Sequence, residues 1–443
     1  MKKYYNNDKF FNSGGCMRAA FHTLGCKVNQ YETELMKEDL QKNGYEIVTE
    51  NDEPDIFIIN SCTVTAESDR KTRQMVRKYR RMLPNAVIVL TGCMPQAFPT
   101  QAEQLESADI VLGNGTNDKL IYAINEFRLT GKRLQIVKPH NKENVKQTVK
   151  TFHDRTKAFL KIEDGCNRFC SYCIIPYARG RVRSKPLEEI KKEVKVLVDD
   201  GFKEVVLIGI NLSAYGMENG HNLADAVEVA AESGIERIRL GSMEPDQFTD
   251  DVIDRLSKVK CLCPQFHLSL QSGCDNTLKR MNRHYDTEFY ADLVKKLREK
   301  FENASITTDI MVGFAGETDE DFNASVNFLN RIGFAKTHVF AYSIRKGTAA
   351  EKFDGQVENS VKRSRSAVMI ENAAKCQKEF LESQVGKVLP VLFENRIKGG
   401  FYEGYTPNYT LVRVKSDKNI SGEIIDTKII STEDEYCIGE VLI

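Results

Sequence analysis

Apolar and polar positions along the chain alternate between two periods. Short apolar runs read as strands, and segments whose apolar residues recur every three to four positions read as helices. Residues 18–24 form a strand-like run that ends at Gly25-Cys26. An amphipathic helix pattern covers 32–43 and is closed by Gly44. A buried strand, 55–60, ends at Ser61-Cys62, and a second helix covers 67–82. A third strand, 86–90, ends at Thr91-Gly92-Cys93. This βαβαβ order predicts an α/β unit with a doubly wound parallel sheet. Residues 136–151 are polar, contain Pro139 and show no period, which reads as a linker.

The strand-then-helix rhythm resumes at 158–162 and continues through strands at 205–210, 237–241, 266–270, 306–312 and 338–342. Helical patterns lie between them, among them 187–198, 287–300 and 320–331. Six such units predict an incomplete parallel (β/α)6 barrel. After a long helical pattern at 361–382 the chain turns β-rich, with runs at 388–393, 409–414 and 422–430 and glycine turns at Gly399-Gly400 and Gly404. That predicts a small β-barrel. The resulting divisions are a lead-in over 1–16, an N-terminal domain over 17–135, a core over 152–383 and a C-terminal domain over 384–443.

Composition adds few constraints. The 443 residues suit about three domains. Basic and acidic residues balance at 63 each, so only local patches bear on an anionic partner. No apolar run is long enough to cross a bilayer, and the polar, Asn/Lys-rich start lacks a signal-peptide core. The expected location is cytoplasmic, without a membrane partner, and Met17 is an alternative start. The 12 cysteines then point to metal ligation rather than disulfides.

The cysteines carry the chemistry. Gly165-Cys166-Asn167-Arg168-Phe169-Cys170-Ser171-Tyr172-Cys173 is a C-x3-C-x2-C run on a loop leaving a strand. Three thiolates so close suit a soft metal centre. A [4Fe–4S] cluster normally takes four, so three leave one iron open for the amino and carboxylate groups of S-adenosylmethionine (SAM). A structural zinc site would call for a fourth Cys or His, commonly in a second C-x2-C, and the chain has none.

Cys26, Cys62 and Cys93 each fall just past the carboxyl end of a strand, the edge where ligands bind in such sheets. They are either a second three-cysteine cluster or three separate loop thiols. Cys16, Cys261, Cys263, Cys274, Cys376 and Cys437 lack ligand spacing and read as ordinary thiols.

Several other barrel strand ends carry groups suited to holding SAM: Gly209, Asn211, Glu244, Gln271, Asp309 and Gly313. Each alone is also ordinary turn chemistry. Arg179, Arg181, Arg183 and Lys185 read either as anion contacts or as a charged strand edge. The helix at 67–82 carries seven basic residues, Arg70, Lys71, Arg73, Arg77, Lys78, Arg80 and Arg81, and is either a phosphate-contacting surface or a solvated face. In the C-terminal barrel Phe401, Tyr402, Tyr405 and Tyr409 are candidates for base stacking, although local charge there is slightly acidic.

With these residues in place, the Cys166–Cys173 run resembles the radical SAM signature, and nearly the whole chain resembles the methylthiotransferase branch of that superfamily. His22-Thr-Leu-Gly-Cys-Lys-Val-Asn-Gln-Tyr-Glu32, Asn60-Ser-Cys-Thr-Val-Thr65, Ile174-Ile-Pro-Tyr-Ala-Arg-Gly180 and Gly404-Tyr-Thr-Pro-Asn-Tyr409 are similar to its MtaB subgroup, the tRNA (N6-threonylcarbamoyladenosine-C2)-methylthiotransferases. Pro95 and Ala315 depart from common family residues without removing a ligand.

The resemblance implies a C-terminal domain of the TRAM type and two [4Fe–4S] clusters. Cys166, Cys170 and Cys173 would hold the SAM-cleaving cluster, and Cys26, Cys62 and Cys93 an auxiliary, sulfur-supplying one. SAM would serve both as methyl donor and as source of a 5′-deoxyadenosyl radical. The implied partners are the tRNA anticodon stem-loop bearing threonylcarbamoyladenosine at position 37, an electron donor such as flavodoxin or ferredoxin, and a sulfur donor. Methylthiolation of isopentenyl-adenosine or of a ribosomal-protein Asp is the neighbouring alternative. A zinc-stabilised RNA-binding protein without catalysis is the alternative from another class.

Overall fold

A computed structural model describes residues 16–140 and 156–442. The lead-in, apart from Cys16, and most of the expected linker lie outside the described residues.

The N-terminal sheet has six parallel strands. In chain order they are β1 (Arg18–Thr23), β2 (Glu46–Ile47), β3 (Ile56–Ser61), β4 (Val87–Gly92), β5 (Ile110–Leu112) and β6 (Leu134–Ile136), arranged β2-β1-β3-β4-β5-β6. β3 and β4 are six-residue runs buried at every position, as central strands covered on both faces must be. Alternate residues serve opposite faces. Ile56, Ile58, Val87 and Val89 pack with Met36 and Leu40 of helix α1 (Lys27–Lys42). Phe57, Ile59, Ile88 and Leu90 pack with Val76 and Tyr79 of helix α2 (Ala66–Met82). The strand order reverses at β1, so the crevice between β1 and β3 is the switch point where such sheets bind ligands.

The second unit is an open barrel of parallel strands. They are β7 (Lys157–Lys161), β10 (Glu204–Ile208), β11 (Arg237–Leu240) continuing past Gly241 as β12 (Ser242–Met243), β13 (Gln265–Leu268), β14 (Ser305–Val312) and β15 (Lys336–Ala341). A two-strand clip, β8 (Glu163–Asp164) with β9 (Arg183–Ser184), closes the cysteine loop. The expected strands agree to within one or two residues. β7 and β15 do not pair, which leaves a seam. α1 packs over β7 there, and its Val28 and Tyr31 belong to the barrel's own core.

The C-terminal strands β16 (Val388–Arg396), β17 (Phe401–Tyr405), β18 (Leu411–Lys415), β19 (Ile424–Glu433) and β20 (Tyr436–Val441) close in the order β16-β17-β18-β20-β19. This small barrel sits under the amino ends of the large barrel's strands. Arg237 donates to the carbonyls of Tyr405 and Pro390, and Arg239 to those of Thr406 and Pro407.

Candidate functional site

Three chain segments converge at the sheet's switch point. Cys26 precedes α1, Cys62 follows β3, and Cys93 opens a short helix, α3 (Cys93–Ala97), directly after β4. Glycine permits the approach: Gly25 has φ +113°, and a Cβ there would lie 2.9 Å from Cys62 Cβ. Gly92, at φ +99°, would collide with the Ser61 carbonyl at 2.4 Å. Asn29 ties the loops together by donating from Nδ2 to the carbonyls of Leu24 and Ser61, both at 2.9 Å. Burial pushes the Cys93 thiol up to about 12, with the Cys26 and Cys62 charges adding to it. Burial likewise raises Cys62. The structure therefore brings these three sequence-distant cysteines together.

The second group follows β8. Cys166, Cys170 and Cys173 lie on one loop, with Phe169 at φ +51° turning the chain between the first two. Burial pushes Cys166 and Cys173 up to about 12, and the neighbouring Cys170 charge adds to both. Arg283 donates to Cys170 Sγ at 3.3 Å and is held by Glu244 at 2.6 Å. Asn211 Nδ2 lies 3.9 Å from Cys166 Sγ, and its backbone N–H donates to the buried Glu163 carboxyl. Burial raises the pKa of Glu163 well above the usual range.

The donor set fits an iron–sulfur cluster with SAM. Three deprotonatable thiols leave one cluster iron for an outside chelate. Beside them two buried oxygens, Asn211 Oδ1 and Glu163 Oε1, lack a hydrogen-bond partner. Among the described residues no three His, Cys, Asp or Glu side chains draw together as a single metal ion requires. A four-iron cluster, with one thiolate per iron, spaces its ligands more widely than one ion does.

The remaining predicted positions separate into three placements. Gly209, Asn211 and Glu244 lie near the Cys166 loop; a Cβ at Gly209 would meet Glu163 Oε2 at 2.5 Å. Gln271, at φ +69°, exchanges backbone hydrogen bonds with Asp309 and Met311. Gly313 donates to Glu317 and lies against Lys362, whose Cγ a Cβ would approach to 2.4 Å. The Asp309 side chain instead points into the barrel.

There a cavity of about 560 Å3 is lined from all three units, by Cys26 and Lys27 at the start of α1, by barrel residues including Gly209, Arg239, His267 and Asp309, and by Tyr409 of the C-terminal barrel. Lys27 faces this space, and burial, with Lys157 and Arg239 adding repulsion, pushes its pKa down to about 8.

Two readings of charged and aromatic residues change. Arg179 and Lys185 are not a charged strand edge, because both are fully buried. Arg179, on helix α4 (Ile175–Arg179), joins Glu32, Asn29 and Cys93, and Lys185 pairs with Glu193. In the C-terminal barrel Tyr402 belongs to the core. Tyr405 and Tyr409 stack on each other with centroids 4.4 Å apart, and Lys157 and Arg239 cap them from the large barrel. They form a docking surface between the two barrels. On α2, Arg80 pairs with Asp109 and Arg70 with Glu67, while Lys71, Arg77, Lys78 and Arg81 remain exposed.

Sequence comparison matches residues 160–329 to the Radical SAM superfamily and residues 18–113 to Uncharacterized protein family UPF0004. The threonylcarbamoyladenosine tRNA methylthiotransferase MtaB of Bacillus subtilis (strain 168) is 38% identical over 431 residues, covering 95% of each chain. The Thermotoga maritima MtaB is 38% identical over 419 residues, covering 94% of this chain and 95% of its own. A tRNA-2-methylthio-N(6)-dimethylallyladenosine synthase of Clostridium botulinum (strain Hall) is 35% identical over 431 residues, covering 94% and 95%. In fold, the chain is similar to the radical SAM methyltransferase TsrM of Kitasatospora setae, with a TM-score of 0.56 at 14% identity, covering 88% of this chain and 81% of that one.

Proposed function

The chain belongs to the tRNA methylthiotransferase family of radical SAM enzymes, and from that premise we propose that it methylthiolates C2 of N6-threonylcarbamoyladenosine at position 37 of tRNA. The observation that carries this reading is the gathering of Cys26, Cys62 and Cys93 at the carboxyl edge of the N-terminal sheet and of Cys166, Cys170 and Cys173 on one loop of the barrel, with Cys26 lining the barrel's cavity. In this reading Cys166, Cys170 and Cys173 hold one [4Fe–4S] cluster and Cys26, Cys62 and Cys93 a second. When bound, the first cluster with SAM supplies a 5′-deoxyadenosyl radical, and the second supplies the sulfur that a further SAM methylates.

The chain's own residues supply placement. Arg283 and Arg179 each donate to one cysteine sulfur of a group and are each braced by a carboxylate. Asn211 and Glu163 present polar atoms beside Cys166, Gly209 leaves them room, and Gln271 and Gly313 shape the strand ends where a nucleoside would lie. The seam-filling α1 and the docked C-terminal barrel wall off part of the cavity, and radical attack on an inert C–H bond calls for such shielding from water. Residues 17–135, 152–383 and 384–443 then act as auxiliary-cluster domain, radical SAM core and TRAM-type domain. A flavodoxin or ferredoxin and a sulfur donor complete the system, in the cytoplasm where tRNA is modified.

Nucleoside mass spectrometry of tRNA from cells with and without the gene tests the assignment. Loss of the methylthio form of threonylcarbamoyladenosine, with accumulation of its precursor, is the expected result. Loss of methylthio-isopentenyladenosine instead would overturn the substrate assignment and keep the chemistry.

A further inference from the structure

Beside apolar Val28, Ile208 and Leu240, three strands of the barrel present polar side chains to its inner cavity, where such interiors are usually filled with branched apolar ones. On β13, Gln265 and His267 face the cavity; on β14, Thr307 and Asp309; on β15, Lys336 and His338. Their registers place them side by side, His267 opposite Thr307 and Asp309 opposite His338. His267 joins the set: Nδ1 lies 3.0 Å from Thr307 Oγ1 and Nε2 lies 3.3 Å from Asp309 Oδ2.

The charge in this space is unbalanced. Asp309 is the one carboxylate among the described lining residues, against Lys27, Arg239 and Lys336. Arg239 is satisfied by Glu204, and Lys336 reaches Glu435 at 3.8 Å. Lys27 has no carboxylate at ion-pair distance among the described residues; its ammonium lies 5.8 Å from the Phe159 ring centre. Lys27 directly follows Cys26, so this cation sits in the same wall as the cysteine.

We propose that the cavity is the specificity pocket for the amino-acid portion of the modified adenosine, with Lys27 binding its carboxylate and the Asp309–His267 pair its hydroxyl and carbamoyl N–H groups. The inference rests on the threonylcarbamoyladenosine assignment above. Its volume lies within the roughly 300–1,000 Å3 of small-ligand sites. A side chain with a carboxylate, a hydroxyl and a urea matches a wall holding an unpaired ammonium and a carboxylate with its histidine. An isopentenyl group would enclose those charges without partners, the arrangement by which polar sites reject apolar analogues most strongly. Lys27, Asp309 and His267 are thus specificity-determining residues, separate from the cluster ligands.

The test uses reconstituted enzyme and two anticodon stem-loops, one with threonylcarbamoyladenosine and one with its threonyl carboxylate methyl-esterified. The ratio of their kcat/KM values is taken within each preparation, so it does not depend on the fraction of enzyme loaded with clusters. Equilibrium binding by fluorescence anisotropy gives a second readout. Wild type should favour the acid by about 10- to 100-fold, the range expected for a hydrogen bond to a charged group. Lys27→Gln should bring the ratio close to one in both readouts. Asp309→Asn should weaken acid and ester alike.

A wild-type ratio near one, with both stem-loops methylthiolated, overturns the pocket and leaves the substrate assignment standing; it needs no variant to fold. An unchanged ratio in Lys27→Gln overturns the role of Lys27. Wild type that ignores both stem-loops but modifies an isopentenyl-adenosine one overturns the assignment and the pocket together.

Discussion

Arg179 Nε donates a hydrogen bond to Cys93 Sγ at 3.2 Å, and it does so from a helix that begins two residues after Cys173. One arginine thus connects the loop of one cysteine group to a member of the other. Its guanidinium also grips Glu32 through two nitrogens and Asn29 at 2.6 Å, both on α1. Lys161 from β7 reaches the same Glu32 at 3.0 Å. The N-terminal sheet and the barrel therefore meet across a buried ion network, whose geometry sets the distance between the two cysteine groups.

Arg179→Met should destabilise the protein by about 3–5 kcal/mol, because a buried Glu32 loses its main partner. Arg179→Lys retains the charge but loses the fork that serves sulfur, carboxylate and amide at once, so it should recover only part of that. Chemical denaturation followed by far-UV circular dichroism measures this; the chain has no tryptophan to report by fluorescence. The iron spectrum of Arg179→Lys should change at the N-terminal group and not at Cys166, Cys170 and Cys173. An unchanged spectrum would make the contact to Cys93 incidental.

Cys62→Ala should lower bound iron by one cluster's worth, abolish methylthiolation and leave SAM cleavage measurable as 5′-deoxyadenosine. Cys170→Ala should abolish both activities. Normal methylthiolation by Cys62→Ala would mean that the N-terminal cysteines do not supply sulfur.

The exposed face of α2 should contribute to tRNA affinity by neutralising backbone phosphates. Replacing Arg77 and Arg81 with Glu leaves the Arg80–Asp109 and Arg70–Glu67 pairs intact. Binding should weaken, and the dependence of log affinity on log salt should become shallower by about 0.7–0.9 for each phosphate that is no longer neutralised. An unchanged salt slope in filter or anisotropy titrations would assign α2 to a solvated face.

How much of this could be read in advance depended on whether the signal was local. The Cys166–Cys173 spacing and the strand-then-cysteine placement of Cys26, Cys62 and Cys93 lie within short windows, and so do the six barrel strands. The partners of Arg179 do not, since Glu32 is 147 residues away and no local pattern couples them. The three-residue strands β5 and β6 are too short to show a period. The polar lining of the barrel was present as an alternation, Gln265-Phe266-His267-Leu268 and Thr307-Thr308-Asp309-Ile310, although only closure of the barrel tells which side faces in. Tyr405 and Tyr409 illustrate the opposite case. Their composition fitted nucleic-acid stacking, while their positions at the foot of the large barrel give them Lys157 and Arg239 as partners.

Glu204 braces that docking surface through Arg239. Arg239 binds the Glu204 carboxylate through Nε at 2.8 Å and Nη2 at 3.1 Å while donating to the Thr406 and Pro407 carbonyls of the C-terminal barrel. Burial alone would raise the Glu204 pKa, but Arg239, Lys157 and Arg237 outweigh it and hold the carboxyl below its usual range. A carboxyl depressed by folding contributes stability that is whole above its unfolded pKa, about 4.3. That contribution fades as pH falls from there through the folded value. Stability measured by urea denaturation should accordingly decline below about pH 4.3. Glu204→Gln should remove that part of the decline and cost about 3–5 kcal/mol at neutral pH, since Arg239 stays buried without its counter-ion. Limited proteolysis of Glu204→Gln should release the C-terminal barrel earlier than in wild type, because Arg239 positions the carbonyls that hold it. If the acid decline has the same slope in Glu204→Gln, another carboxylate governs it and the barrels are held by Tyr405 and Tyr409 packing instead.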